Sequence, residues 1–198
     1  MEQAAPAADT RRRRPVAAAA EAIAPQARRS EPIQAVGERP LQRLLSGYGE
    51  LDRVLGGGLV PGSLVLLGGD PGIGKSTLLL QSAQAMAAQH SVLYVSAEES
   101  AQQVKLRWRR LVEQQPAAST GTPAAAASGD LQLLAETDLE LVLQELEALR
   151  PAVAVIDSIQ ALHDGELGSA PGSVAQVREC AAALARIAKR QDTALLLV

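Results

Sequence analysis

The chain has 198 residues, of which 47 % are hydrophobic, and its formal net charge at pH 7 is −3. This length suits one globular domain, and the slight acidity excludes a protein that is basic over its whole surface. The single cysteine, Cys180, excludes an internal disulfide framework and is typical of a reducing cytoplasm, the compartment that we predict.

The amino-terminal segment, residues 1–43, is rich in alanine, proline and arginine and shows no lasting periodicity. We predict a disordered arm that acts as a solvated tether, and its arginines could also contact nucleic acid. Its short apolar stretch is interrupted by Glu21, which argues against a secretory signal. The arginines and alanines also suit an organelle transit peptide, although the acidic residues of the arm count against one.

Beyond the arm, apolar runs alternate with helical patterns. Five runs have the length and composition of buried strands: residues 64–68, 91–96, 131–136, 152–157 and 193–198. Three capping-box patterns precede helical periodicity: Ser100 with Gln103, Thr137 with Glu140, and Ser173 with Gln176. This alternation predicts the α/β class, with a mostly parallel sheet and helices on both faces.

Two features interrupt this pattern. Residues 116–130 are low-complexity Ala, Ser, Thr, Gly and Pro, and we predict a flexible surface insertion there. The last strand, 193–198, has no turn or polar tail after it, so we expect a domain over 44–198 that is truncated at its carboxyl end. That strand should lie within the sheet, and ending there should leave an apolar edge that impairs solubility and turnover.

The sequence GGDPGIGKST follows the first predicted strand and opens a helix, and it has the spacing G-x-x-x-x-G-K-[ST]. Such a loop turns backbone N–H groups toward phosphate oxygens, and the helix N-terminus adds partial positive charge. The predicted phosphate-binding residues are Gly69, Asp70, Pro71, Gly72, Ile73, Gly74, Lys75, Ser76 and Thr77. Lys75 should reach the β- and γ-phosphates, and the Ser76 hydroxyl should bind Mg²⁺. A glycine-rich turn without this function is the disfavoured alternative, because the Lys-Ser pair and the flanking elements are correct.

Carboxylates end two other predicted strands. Asp157 closes the run AVAVID, where it can hold the Mg²⁺ shell through water. Glu98 and Glu99 follow the strand SVLYVS, and the carboxyl ends of parallel strands share one edge of the sheet. We predict that Glu98 is the general base that orients the attacking water, with Glu99 second. The alternative places both glutamates in a first helical turn, where the helix dipole favours acidic residues.

Three other features invite a functional interpretation. The basic run KLRWRR, residues 105–110, could stack a base on Trp108, but the spacing of Trp108 from Val104 favours core packing. Lys105 and Arg107 could still face nucleic acid or a neighbouring subunit. Cys180 shares a helical face with apolar residues, so we interpret it as a small core residue. The two histidines have no partner at metal-ligand spacing, so no zinc is expected.

Several longer blocks carry a specific resemblance: LDRVLGGGLVPGSLVLLGGDPGIGKSTLLLQ, VLYVSAEESAQQVKLR, LLAETDLE, VIDSIQAL and SAPGSVAQVRECAA. Over residues 44–198 the chain resembles the ATPase domain of the RadA (Sms) family of bacterial DNA repair proteins, which are RecA-like ATPases. The resemblance implies ATP and Mg²⁺ as cofactors, ATP hydrolysis, and binding of single-stranded or branched DNA during the processing of recombination intermediates. It also implies a homo-oligomeric ring for the full-length protein. No membrane partner is expected, because no stretch approaches the about 20 consecutive apolar residues needed to span a membrane.

The resemblance assigns residues as well. It implies that 69–77 form the phosphate loop, that Asp157 is the magnesium-side carboxylate, that Glu98 is the base, and that 163–173 form a mobile, DNA-facing loop. The four-cysteine zinc ribbon of the family has no counterpart in this chain, and neither do the Lys-Asn-Arg-Phe-Gly motif and the Lon-like domain. Two alternatives stay open: another RecA-like ATPase of the clock or replicative-helicase type, or a catalytically weak module that binds DNA or a partner.

Overall fold

The computed structural model describes Ser30 and residues 32–37, 42–114 and 130–198. The chain divides into two units, Met1–Arg39 and Pro40–Val198. The described part of the first unit contains one 3-10 turn, Ile33–Ala35. Most of the predicted arm, and all of the predicted insertion 116–130 except Asp130, lie outside the described residues.

The described part of the second unit alternates strands with helices. Its strands are β1 (Leu64–Leu66), β2 (Val92–Ser96), β3 (Leu131–Ala135), β4 (Val153–Asp157) and β5 (Ala194–Leu197). Its helices are α1 (Gly49–Val54), α2 (Lys75–Ala87), α3 (Ala101–Gln114), α4 (Leu139–Leu149) and α5 (Val174–Gln191). Each strand lies within one of the five predicted apolar runs.

The five strands form one sheet in the order β1-β5-β4-β2-β3, and every pairing is parallel. Residues of α2 and α3 share one buried apolar cluster with alternate residues of the strands, and residues of α4 and α5 share the cluster on the opposite face. The prediction of an α/β fold with helices on both faces is therefore confirmed.

The expectation that the last strand leaves an apolar edge is wrong. β5 does lie within the sheet, but it pairs with β1 on one side and with β4 on the other, so its backbone groups are used on both sides. Among the described strands the edges are β1 and β3. Both of these edge strands carry exposed apolar side chains, and the most exposed of them is Leu66 of β1, at 63 %.

The helix starts follow the predicted caps in part. The Ser100 and Gln103 box is complete, because Ser100 N–H donates to Gln103 Oε1 at 2.9 Å and Gln103 N–H donates to Ser100 Oγ at 3.4 Å. The Ser173 hydroxyl oxygen accepts from the N–H of Gln176 at 3.4 Å, as expected of a cap.

The predicted box of Thr137 with Glu140 is wrong by one residue. Asp138 is the cap, and its carboxylate accepts from the N–H of Glu140 at 2.8 Å. The carbonyl of Thr137 instead accepts from the N–H of His163, in a bridge between two loops. Asp138 itself has an extended backbone, with φ −75° and ψ 119°, so α4 begins after it.

The α5 face of the sheet should carry much of the folding stability. Leu184 and Cys180 are fully buried there, which confirms the interpretation of the cysteine as a core residue. We expect Leu184→Ala to lower the free energy of unfolding by about 2–5 kcal/mol, because the lost contacts leave a cavity. Urea-induced unfolding measures this change. Val174→Ala on the same helix is the control, since Val174 is 86 % exposed; equal losses in both variants would contradict the packing.

Candidate functional site

The phosphate loop connects β1 to α2 at the carboxyl edge of the sheet. Its backbone needs glycine at three positions, where φ is +153° at Gly69, +82° at Gly72 and +95° at Gly74. A Cβ at Gly69 would also lie 2.5 Å from the Cδ1 atom of Ile73. α2 begins directly after Gly74, and no side chain in the described residues caps it, so its first backbone N–H groups stay available to an anion.

Lys75 folds back over the loop that it follows. Its Nζ atom donates to the carbonyl oxygens of Gly69 at 2.8 Å and Asp70 at 2.9 Å. The ammonium group is therefore held above the loop by neutral acceptors. A phosphate oxygen would be a stronger, charge-assisted acceptor for the same proton donors.

The chain brings Ser76 and Asp157 together although they are far apart in sequence. The Ser76 hydroxyl, in the first turn of α2, donates to Asp157 Oδ1 at the end of β4 over 3.1 Å. A hydroxyl and a carboxylate are hard oxygen donors that suit Mg²⁺, which takes few protein ligands beside phosphates and water. Within the described ranges no group of three or more His, Cys, Asp or Glu residues could hold a metal ion. Mg²⁺ bound by one or two protein oxygens usually takes its other ligands from substrate phosphates and water.

Sequence reasoning missed Tyr94. Its hydroxyl donates to the second carboxylate oxygen of Asp157, Oδ2, at 2.6 Å. Burial, together with the Asp157 carboxylate, raises the pKa of Tyr94 well above its usual range, so the hydroxyl remains a proton donor. The sequence did contain one indication that the Tyr94 hydroxyl points toward this edge of the sheet. Tyr94 lies two residues before Ser96 in a buried run, so both side chains leave the same face of β2.

The adjacent glutamates have different partners. Glu98 accepts a hydrogen bond from the hydroxyl of Ser158, the residue after Asp157, which places Glu98 near the end of β4. Glu99 instead forms an ion pair with Arg107 of α3. Both precede α3, which begins at Ala101, so the alternative that places them in its first turn is wrong. Because the two glutamates are adjacent, one turn directs Glu98 toward the end of β4 while Glu99 fixes that turn to α3.

The buried Ser96 also holds this turn, through hydrogen bonds to the backbone of Glu99. Its hydroxyl accepts from the N–H of Glu99 at 3.2 Å and donates to the Glu99 carbonyl at 2.8 Å. The backbone of Glu99 is therefore held at both of its polar groups, while its side chain is held by Arg107. Glu98 immediately precedes this anchored residue. The direction in which its side chain leaves the backbone is therefore restricted, even though the side chain is exposed.

The basic run on α3 divides between core and surface. Trp108 packs against the cluster beneath α2, and its ring N–H donates to Gln84, which confirms the core interpretation. Arg107 is occupied by Glu99. Lys105 is exposed, so it remains a candidate for contact with a partner.

The segment 163–173 is tied to α5 by the side chain of Gln176, which is 1 % exposed. Its Oε1 atom accepts from the N–H of Asp164 at 2.8 Å, and its Nε2 group donates to the carbonyls of Asp164 at 3.1 Å and Ser169 at 3.0 Å. Gln176 therefore organises this loop and does not return a bond to the cap at Ser173. The loop contains no lysine or arginine.

Comparisons with known proteins agree with this architecture. DNA repair protein RadA of Synechocystis is 58 % identical over 161 residues, which cover 79 % of this chain and 32 % of that protein. RadA of Escherichia coli is 48 % identical over 158 residues, covering 80 % and 32 %, and RadA of Bacillus subtilis is 46 % identical over 168 residues, covering 84 % and 34 %. The chain spans about one third of the length of these relatives.

Two further findings bear on the class of protein. In the part of the chain that the structure describes, no helix has the length and apolar character needed to span a membrane. The family model of the AAA domain matches residues 11–198, which include the phosphate loop and all five strands. The chain therefore belongs to the AAA domain family, and its fold is a RecA-like P-loop core.

Proposed function

We propose that this domain binds ATP with Mg²⁺ and hydrolyses it, as the ATPase domain of a DNA-dependent enzyme that acts in repair and homologous recombination. The observation that carries the proposal is the arrangement around α2, where Lys75 lies over the phosphate loop and Ser76 contacts Asp157 at 3.1 Å. The similarity to RadA proteins supports the repair context. The proposed ATPase domain is 44–198, with 1–43 as a tether and 116–130 as a surface insertion.

Each group at the site would have a distinct part in the reaction. Lys75 would exchange its loop carbonyls for β- and γ-phosphate oxygens, while backbone N–H groups of the loop 69–77, in which only Pro71 lacks one, surround the phosphates. Ser76 and Asp157 would hold the magnesium ion, which would neutralise charge on the phosphates. Glu98, exposed at the same edge, would orient the attacking water and accept its proton.

The proposed partner is single-stranded or branched DNA, met in the cytoplasm by a homo-oligomeric ring. The exposed Lys105 and Arg110 of α3 provide positive charge for phosphate contacts. The loop 163–173 has no lysine or arginine and is tied by Gln176, so contact there would use backbone N–H groups, the serine hydroxyls or the His163 ring.

A phosphate-release assay of the 198-residue chain, with and without single-stranded DNA, tests this proposal. We expect slow, Mg²⁺-dependent turnover that the DNA barely changes, because the loop expected to transmit DNA binding has no lysine or arginine to pair with phosphates and is held by Gln176. Lys75→Ala is the control for contaminating ATPase. Strong stimulation by DNA would contradict this expectation and place the coupling in residues 163–173. The absence of any turnover above that control would favour a binding module over an enzyme.

A further inference from the structure

Tyr94 places a polar group at the base of the proposed magnesium site. All five residues of β2 are buried, and Tyr94 itself is 1 % exposed. Its hydroxyl lies 2.6 Å from Oδ2 of Asp157, a carboxylate that is 8 % exposed. A short hydrogen bond to an ionised acceptor in such surroundings is stronger than one between neutral groups.

The sheet register determines how Tyr94 reaches the site. Tyr94 pairs with Val155, and Ser96 pairs with Asp157, so the side chains of Tyr94 and Asp157 leave the same face of neighbouring strands. The tyrosine ring belongs to the apolar cluster beneath α2, together with Val155 and Leu80. Packing therefore restrains the ring, and only its hydroxyl reaches the carboxyl edge of the sheet.

The two oxygens of Asp157 have separate partners. Tyr94 donates to Oδ2, while the Ser76 hydroxyl donates to Oδ1 at 3.1 Å. Without a donor at Oδ2 the carboxylate could rotate about its terminal bond. With Tyr94 in place, the plane of the carboxylate is fixed and its other oxygen stays directed at Ser76.

We infer that Tyr94 is a positioning residue, which orients the Asp157 carboxylate so that Oδ1 remains directed at Ser76 and the metal site. This inference rests on the proposed binding of ATP with Mg²⁺ and adds a residue to it. Outer hydrogen bonds of this kind hold metal ligands in their binding geometry. The chain's own contribution to magnesium affinity would then depend on a hydroxyl that does not touch the ion.

Tyr94→Phe removes the hydroxyl and leaves the ring that packs beneath α2. We expect the Mg²⁺ concentration needed for half-maximal nucleotide binding to rise about 10- to 100-fold, the usual effect of losing such a partner. Calorimetry with the β,γ-imido analogue of ATP, at a series of Mg²⁺ concentrations, measures this shift without hydrolysis. Binding of the analogue in the absence of Mg²⁺ should stay within about twofold of the wild type.

Tyr48→Phe is the matched control, since Tyr48 is the other of the two tyrosines and does not bond to Asp157. Thermal unfolding of both variants without nucleotide shows whether each is folded. An unchanged Mg²⁺ requirement in folded Tyr94→Phe would overturn the inference. So would a loss of analogue binding that is equal with and without Mg²⁺, because that result indicates a packing role.

Carbon-13 labelling of tyrosine in the unaltered chain provides a second measurement if Tyr94→Phe does not fold. Adding Mg²⁺ with the analogue should shift the ring resonances of Tyr94 and leave those of Tyr48 in place. Resonances of Tyr94 that do not respond would overturn the inference. A failure of the proposed function gives a different result. In that case Lys75→Ala would bind the analogue as tightly as the wild type does.

Discussion

Lys75→Ala should remove most of the binding of ATP with Mg²⁺. The ammonium group already lies over the phosphate loop, 2.8 Å from one loop carbonyl and 2.9 Å from another, so it meets an incoming phosphate without a large movement. Truncating one partner of a desolvated charge pair costs about 2–5 kcal/mol, which corresponds to a roughly 30- to 4,000-fold weaker affinity. Isothermal titration calorimetry with ATP and Mg²⁺ measures the change.

Lys105→Ala is the matched control for that experiment. It removes the same charge from an exposed position on α3, outside the phosphate loop, so its nucleotide affinity should equal that of the wild type. Unfolding curves of the two variants should be close, because the bonds that Lys75 makes without nucleotide are exposed. If Lys75→Ala binds ATP as tightly as Lys105→Ala, the phosphate loop is not the nucleotide site.

Glu98→Gln should slow hydrolysis far more than it weakens ATP binding. The amide can still accept the hydrogen bond from Ser158, so the turn keeps its shape, but it cannot take a proton from water. General-base catalysis contributes about 10²- to 10⁴-fold, and the turnover number should fall by that factor. Single-turnover phosphate release, with binding measured in parallel, separates the two effects.

Glu99→Gln is the companion variant, and its loss should be milder. It weakens the ion pair with Arg107, yet the backbone of the turn keeps both of its bonds to Ser96. Some loss of rate is expected because Glu98 would be oriented less firmly. Equal turnover for the wild type and Glu98→Gln would show that Glu98 is not the base. A larger loss in Glu99→Gln than in Glu98→Gln would assign the role of base to Glu99.

Local patterns predicted most of the architecture. Each apolar run and its flanking glycines or capping residues contain the information for a strand or a helix start, as at Ser100 with Gln103. The phosphate loop was equally accessible, because its chemistry lies in consecutive residues 69–77. The cap at Asp138 was missed, since its choice over Thr137 depends on a bridge to His163, a residue beyond β4.

Pairings between distant residues were beyond sequence reasoning. The strand order is an example, because no single segment shows that β5 enters between β1 and β4. The same limit applies to Gln176. Its spacing from Ser173 predicts a capping box. In the structure, however, the Gln176 side chain is buried and its amide bonds to the loop that contains Asp164.

The sequence by itself therefore determined the α/β class, the phosphate loop and the edge of the sheet where Asp157 and Glu98 lie, because periodicity and motif spacing are properties of neighbouring residues. Only the tertiary structure decided what those carboxylates contact. Asp157 is held by Ser76 and Tyr94, which lie 81 and 63 residues away along the chain. Contacts of about 3 Å between such positions arise from parallel register and helix packing, which bring strand ends together only when the whole sheet has formed.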